Sequence, residues 1–409
     1  MRILHTSDWH LGHTLRGEVT REHEHQAFLD WLLETCVREA VDVLVITGDV
    51  FDSATPPASA ERMWFDVLAA ARRGRPAMDI VVIAGNHDSP ARLAAPAAVL
   101  RALGVHVIGQ LPRTRDGAID LDRVVIPVAG GRGLVAAVPF LRPVDVAADT
   151  DDAIAAVYGE VLAGARDRRR ADQALIVTGH LYMAGADSQF LSERRVSIGG
   201  QESTPLRVFP DDIDYVALGH IHRAQRVGRD TIRYAGAPIA LSLDEASYKH
   251  QVVVVDFEHG RVAELRSIPV PRVVDIVRVP ARGAAPLGHV LAELAALPPA
   301  IASDPARPFL EVVVALDKPE PKLRAAVEAA LEGKRPRLVY LHVEHTGDRA
   351  ALGDRLAGAQ PRRLEELDPV EVFQHLWARN HAQPPDASVI AGFERLLAEV
   401  RGDREDLVS

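Results

Sequence analysis

The sequence predicts an α/β protein of stacked sheets covered by helices, followed by a small α+β unit and a C-terminal pair of helices. Three observations carry this. Nearly continuous apolar runs such as "VDVLVITGD" and "MDIVVIAGNHD" read as strands buried on both faces. Between them lie stretches of helical spacing, as in Phe28, Leu29, Leu32, Leu33, Cys36 and Val37. From "VHVIG" onward strands dominate. An α/β start followed by many strands favours sheets stacked under helices.

Element by element, "RILHTSD" reads as the first strand and "REHEHQAFLDWLLETCVREA" as the first helix. "PPASAERMWFDVLAAARR" is a helix opened by proline. "SPARLAAPAAVLRALG" is helical with a break at Pro96. The strands "VHVIG", "RVVIPV", "GLVAAVPF", "ALIVTGH", "YVALGH", "TIRYAG" and "QVVVVDF" follow and complete a first domain, residues 1–270. Residues 271–346 spell β-α-β-α-β and form a second, capping domain. Residues 347–364 read as a linker, and 365–409 as a helical segment. There, Asp368 caps a helix with Pro369 at its first position. So short a segment buries little core alone, so Val372, Phe373, Leu376, Trp377, Phe393, Leu396 and Leu397 invite a partner surface or pack back on the body.

Composition narrows the class. A chain of 409 residues predicts two or three domains. No run of 18 apolar residues is present, and "MRILHTSDWH" reaches Thr6 and Asp8 too soon for a signal peptide. Cys36 is the only cysteine, which excludes an internal disulfide and a Cys-rich metal site; it falls on an apolar helix face and reads as core. These features predict a soluble, cytoplasmic protein. No G-x-x-x-x-G-K-[ST] occurs, so P-loop ATP binding is excluded. The net charge of −10 argues against strong nucleic-acid binding by this chain alone. Part of it resides in "EELDPVE" at 365–371, four acids and no base.

The chemistry sits at strand ends. Asp8 and His10 follow the first strand, Asp49 the second, and Asn86, His87 and Asp88 the third. His180 ends "LIVTGH", and His220 and His222 follow "VALG". In open α/β sheets such ends form the binding crevice. Mixed nitrogen and oxygen donors suit manganese, iron or zinc better than magnesium or calcium. Seven donors exceed one ordinary site but fit two ions with a bridging carboxylate, an arrangement that clamps a phosphate ester. Each motif alone is weak; a single histidine after a strand is more often structural. The ordered set D-x-H, G-D, G-N-H-D, G-H, G-H-x-H is specific. Two residues apart on an extended chain, His220 and His222 are expected on one face.

The segments "MRILHTSDWHLG", "HQAFLDWLLE", "GDVFDSATPP", "AGNHDS", "PFLRP", "YAGAPIALSLDE" and "ALGHIHRAQ" resemble the calcineurin-like metallophosphoesterases. Among these, they are closest to the bacterial nuclease subunits of SbcCD DNA repair exonucleases. The likeness is strong over residues 1–255 and looser beyond. It implies a β-sandwich flanked by helices in four α-β-β-α layers. It implies that Asp8, His10 and His222 bind one divalent ion, that Asn86, His180 and His220 bind another, and that Asp49 bridges them, manganese being the usual metal. Water activated between the ions would attack phosphorus in line. His87 would steady the phosphate or protonate the leaving oxygen, and Asp88 would orient a neighbour. Archaeal and eukaryotic relatives carry histidine at the place of Asp52, so Asp52 is either a catalytic or an orienting carboxylate. The resemblance further implies DNA as substrate, ATP-dependent 3′–5′ exonuclease and endonuclease activity, and an SbcC-type ATPase partner in a two-plus-two assembly. It also implies a homodimer through the helices after "GDVFD" and "GNHD". Trp64, Val67, Leu68, Leu93 and Leu100 would include contacts of that dimer.

Other candidates read more plainly. His23 and His25 are expected to be solvated or beside the site, and His13 merely near it. Arg166, Arg168, Arg169 and Arg170 read as a solvated helix end, with Arg194 and Arg195 similar. Two rival readings stay open: a phosphodiesterase for a small substrate such as a cyclic nucleotide, and a non-catalytic scaffold for the ATPase. A small-substrate enzyme needs no capping domain or helical tail, and a scaffold has no use for the donor set.

Overall fold

A computed structural model describes residues 1–17, 19–146, 152–187 and 203–346, with scattered positions from 370 to 397. Two compact units are present, Met1–Ala315 with Glu320–Glu344, and Leu316–Pro319 with His345–Ser409. In the first, β1 (Arg2–Thr6) leads through the hairpin β2 (Thr14–Leu15) and β3 (Val19–Thr20) into α1 (Glu22–Arg38). Then come β4 (Val43–Thr47), α2 (Ala58–Gly74), β5 (Asp79–Ile83), α3 (Pro90–Ala94), α4 (Ala97–Ala102) and β6 (Val105–Ile108). Next are α5 (Leu121–Val124), β7 (Val125–Val128), β8 (Gly133–Ala136), α6 (Ala153–Arg168), β9 (Ala174–His180) and β10 (Tyr215–Gly219). The hairpins β11 (Gln225–Val227) with β12 (Arg229–Tyr234), and β13 (Gln251–Glu258) with β14 (Arg261–Pro269), follow.

Two six-stranded sheets result, ordered β14-β13-β1-β4-β5-β6 and β11-β12-β10-β9-β8-β7. Alternation along each strand sorts the side chains. Ile3, Val43, Val45 and Val81 meet Val135, Ile176 and Ala217 of the facing sheet. On the outer face of the first sheet, Leu4, Leu44, Ile46 and Val82 pack with Phe28, Leu32, Trp64 and Leu68 from α1 and α2. Across the second, Leu175, Val177 and Leu218 pack with Val157, Tyr158 and Val161 of α6. The layers are helix, sheet, sheet, helix, the expected α-β-β-α order.

Helix α6 is anticipated only at its basic end, although Ile154, Val157, Tyr158, Val161, Leu162 and Ala165 hold a clear helical stripe, all buried. Strand β14 is also unanticipated. Its sequence "RVAELRSIP" is polar because, at the edge of the sheet, none of its residues is buried on either face.

The remaining elements are β15 (Ile276–Val279), β16 (Ala285–Pro286), α7 (Leu287–Ala295), β17 (Phe309–Leu316), α8 (Leu323–Leu331) and β18 (Arg337–His345). β17 lies between β15 and β16 and also pairs with β18. Leu15 and Leu243 of the sandwich pack with Val274 and Phe309. The guanidinium groups of Arg21 and Arg337 lie over the Phe309 ring, 5.0 Å and 4.5 Å from its centre. In the smaller unit, the Phe373 and Phe393 rings stack 4.3 Å apart. The expected linker 347–364, most of 365–409, and Arg194 and Arg195 lie outside the described residues. Among the described residues no helix is long and apolar enough to cross a membrane.

One expectation is corrected, and two others are made specific. Trp64, Val67, Leu68, Leu93 and Leu100 are all buried in the core over the first sheet, so they serve internal packing rather than a dimer face. The outward positions nearby are Phe65, Val99 and Leu103, which are 45%, 69% and 50% exposed. His25 is not solvated but lies beside the crevice, near enough to His10 and His13 to feel their charge. It is fully buried on the inner face of α1, and burial pushes its pKa down to about 3; His23 is exposed. The arginines at the end of α6 form the solvated helix end expected, exposed at Arg166, Arg168 and Arg170 and held by surface ion pairs. Arg166, Arg168 and Arg169 pair with Asp212, Asp122 and Asp214, and Arg170 donates to the Gly131 carbonyl.

Candidate metal centre

Parallel pairing aligns the C-terminal ends of β1, β4 and β5 in one sheet and of β9 and β10 in the other. The loops beyond them are laced together. The amides of Asp8 and His10 donate to the carbonyls of Gly48 and Asp49, and Phe140 donates to Ala84. The polar residues after the strands therefore meet at one rim of the sandwich.

Four of them hold a left-handed backbone: Asp8 (φ 55°), His10 (φ 48°), Asp49 (φ 48°) and His220 (φ 97°). For residues with a Cβ this costs roughly 1–3 kcal/mol each and tends to mark a site. It also corrects the expectation for "GHIH". His220 is a turn residue, so the two imidazoles diverge instead of sharing one strand face.

They divide between two donor clusters. In one, Asp8, His10 and His222 bring ligand atoms within 4.8 Å of each other; in the other, Asp49, His180 and His220 do so. Asn86 belongs with the second, its Oδ1 lying 3.0 Å from His180 Nε2 and 2.9 Å from His220 Nδ1. Asp49 Oδ2 stands between the clusters, 3.2 Å from His180 Nε2 and 3.6 Å from His10 Nε2. Two buried atoms of the first cluster, Asp8 Oδ2 and His10 Nε2, have no hydrogen-bond partner. Buried polar atoms are seldom left so, and a cation would satisfy both.

Electrostatics favour the ligand forms of these groups. Burial, with the neighbouring His180, holds His220 down to about 3, and burial also lowers His10, so both imidazoles keep a lone pair to give. Burial works to raise Asp49, but the imidazoles of His180, His10 and His87 outweigh it and keep the carboxylate ionised. His180 moves the other way. Burial opposes its charge, yet the carboxylates of Asp49 and Asp8 lift it to about 9. The rim thus attracts positive charge, and its nitrogen and oxygen donors suit a pair of divalent ions.

The comparisons with known proteins agree. A family model described as calcineurin-like phosphoesterase matches residues 1–224, and one described as type 5 capsule protein repressor C-terminal domain matches residues 272–381. The chain is 42% identical over 389 residues to the SbcD component of nuclease SbcCD from Rhodobacter capsulatus, covering 91% of this chain and 93% of that one. The chain belongs to the SbcD family of calcineurin-like phosphoesterases. The Escherichia coli K12 and Bacillus subtilis 168 members are each 38% identical, over 281 and 280 residues; each match covers 66% of this chain and 68% and 69% of theirs.

In this family member the remaining predicted residues surround the clusters. His87 donates from Nδ1 to the Asp52 carbonyl at 2.7 Å, its amide donates to Asp49 Oδ1 at 2.8 Å, and its ring meets the His10 ring edge-on at 4.8 Å. Asp52 Oδ1 lies 3.2 Å from His10 Nδ1 and 2.9 Å from His13 Nδ1. Burial works to raise its carboxyl, but those hydrogen bonds hold it below the usual range. Asp52 thus orients imidazoles. Asp88 accepts from the amides of Gly85, Phe51 and Val50 and fixes the loops after β4 and β5; burial, and then Asp49, raise it to about 6.

Three participants are not singled out by the sequence. Glu245 holds His222 Nδ1 at 3.0 Å. His13, expected only to lie near, bridges Asp52 and the Leu241 carbonyl. Arg142 donates to the carbonyls of Gly85 and Asp88. Each sits within or beside a motif, but its target is remote in sequence, so spacing carries no signal for it.

Proposed function

We propose that this chain is a two-metal DNA nuclease that hydrolyses phosphodiesters at DNA ends and hairpins. It would act as a 3′–5′ double-strand exonuclease and as an endonuclease, with an SbcC-type ATPase in a cytoplasmic two-plus-two assembly. The observation that carries the reading is the position of Asp49 Oδ2 between two donor clusters, one of which leaves buried ligand atoms unpaired. The names of its relatives support nuclease activity and the partner.

Asp8, His10 and His222 would hold one ion; Asn86, His180 and His220 the other; Asp49 both. Manganese is the metal we expect. Bound there, the ions supply Lewis acidity to phosphoryl oxygens and bring the pKa of water toward neutrality. The chain's own groups do the rest. The Asp52 carbonyl accepts the hydrogen bond from His87 Nδ1–H, which leaves Nε2 for proton exchange with a leaving oxygen. Asp88 and Arg142 brace the loop that carries Asn86 and His87.

Residues 271–346 would limit access to the rim as a capping domain, joined by the linker 347–364 to a segment, 365–409, that docks on the ATPase. The second family match, beginning at residue 272, supports that boundary. The homodimer would use the exposed Phe65, Val99 and Leu103 in place of the buried residues of the same helices.

End-labelled linear and hairpin DNA digested with manganese, with and without the ATPase, tests the reading beside a chromogenic phosphodiester. Turnover of the small ester alone would overturn it. His87→Ala should slow cleavage by about 10²–10⁴-fold while both ions remain bound. Unchanged cleavage would remove His87 from the chemistry.

A further inference from the structure

Two carboxylates converge on the same donor cluster. Glu245 is fully buried in the turn Leu243–Ser247; its Oε1 holds His222 Nδ1 at 3.0 Å and its Oε2 accepts the Leu241 amide at 2.8 Å. Asp52 Oδ1 meets His10 Nδ1 at 3.2 Å. His13 ties the two arms together, with one ring nitrogen 2.9 Å from Asp52 Oδ1 and the other 2.8 Å from the Leu241 carbonyl.

The second cluster is built differently. His180 Nδ1 donates to the Thr47 carbonyl at 2.8 Å, and His220 Nδ1 itself faces Asn86. Both histidines of the first pair are therefore backed by carboxylates, whereas in the second His180 is backed by a neutral peptide oxygen and His220 Nδ1 faces a donor of its own cluster. A carboxylate on the far nitrogen fixes the tautomer, sets the ring and raises the basicity of the near nitrogen.

We propose that Glu245 and Asp52 are positioning residues for a single ion, the one held by Asp8, His10 and His222, and that the two metal sites are consequently inequivalent. The inference rests on the two-ion reading above. The segment that carries Glu245 is also pinned by Arg21, whose Nη1 donates to the Ala240 carbonyl at 2.7 Å while its guanidinium lies over Phe309. The anion-backed site is thus the one mechanically connected to residues 271–346.

Manganese binding to the full chain tests it, by equilibrium dialysis with metal analysis and by the electron paramagnetic resonance signal of the ion pair. Wild type should bind two ions. Glu245→Gln and Asp52→Asn should each keep one ion at wild-type affinity and weaken the other by about 10–100-fold. In a His222→Ala background, which already lacks that site, neither should weaken binding further. In a His180→Ala background each should weaken the remaining ion by the same factor. Wild-type affinity at both sites in the variants, equal weakening of both, or effects of the two variants on different sites would each overturn the proposal. Should Glu245→Gln fail to fold, Asp52→Asn, a swap at a carboxylate 34% exposed, still decides. A wild-type chain that binds no ion would overturn the two-ion reading itself, a result distinct from two ions held unaltered by the variants.

Discussion

At the residue scale, the glycines before the donors are explained by how closely the two sheets approach. A Cβ on Gly219 would collide with the Thr47 carbonyl oxygen, which also receives His180 Nδ1. Gly219→Ala must therefore push β4 and β10 apart at the point where both sheets contribute donors. A displacement of about 1 Å in such a constellation costs on the order of 100-fold in rate. We expect that loss, with weakened metal binding, and no such change in Gly159→Ala on α6, where an added Cβ meets nothing within 4 Å. Metal stoichiometry and cleavage of labelled hairpin DNA check both, and a fully active Gly219→Ala would refute the packing account. The donors themselves were legible because each follows a strand, and chain order alone lists them. Their grouping was open to geometry only through the resemblance, since nothing in "GHIH" announces that His220 takes a φ of 97° and separates the two rings.

Among the elements, buried strands and amphipathic helices were readable wherever burial on one or both faces imposes a period. Failures came where burial depends on a distant partner. Strand β14 looks polar because it ends the sheet. Helices α2 and α4 carry apolar residues on two faces, and sequence alone does not say which face meets the sheet. Trp64 and Leu100 turn inward, whereas Phe65, Val99 and Leu103 remain exposed. Large apolar side chains exposed at a surface are candidates for association. If this surface joins two copies, Val99→Asp combined with Leu103→Asp should convert a dimer to a monomer that keeps its fold by circular dichroism, because neither residue is buried in the chain. Light scattering after size exclusion measures this. A persistent dimer would place the interface elsewhere.

For the molecule as a whole, the closed space between the sheets makes acid stability a measure of the sandwich. His5 lies there fully buried, with its ring nitrogens 2.9 Å from Tyr215 Oη and 3.0 Å from Thr47 Oγ1. Burial lowers its pKa from 6.5 to about 3. The unfolded chain takes up a proton at this position as the pH drops through 6.5, and the folded chain does not. The contribution of His5 is thus fully present above pH 6.5 and is lost as the pH falls toward 3, at up to about 1.4 kcal/mol per pH unit. His5→Gln keeps a side chain able to hydrogen-bond both hydroxyls but has no proton to gain. Urea unfolding of the metal-free chain between about pH 7 and pH 5 should show a shallower acid loss in the variant by close to that slope. Removing the metals first separates the effect from protonation of the donors at the rim. Parallel stability curves for the two proteins would mean that His5 takes a proton in the folded state, and hence that water reaches the space between the sheets.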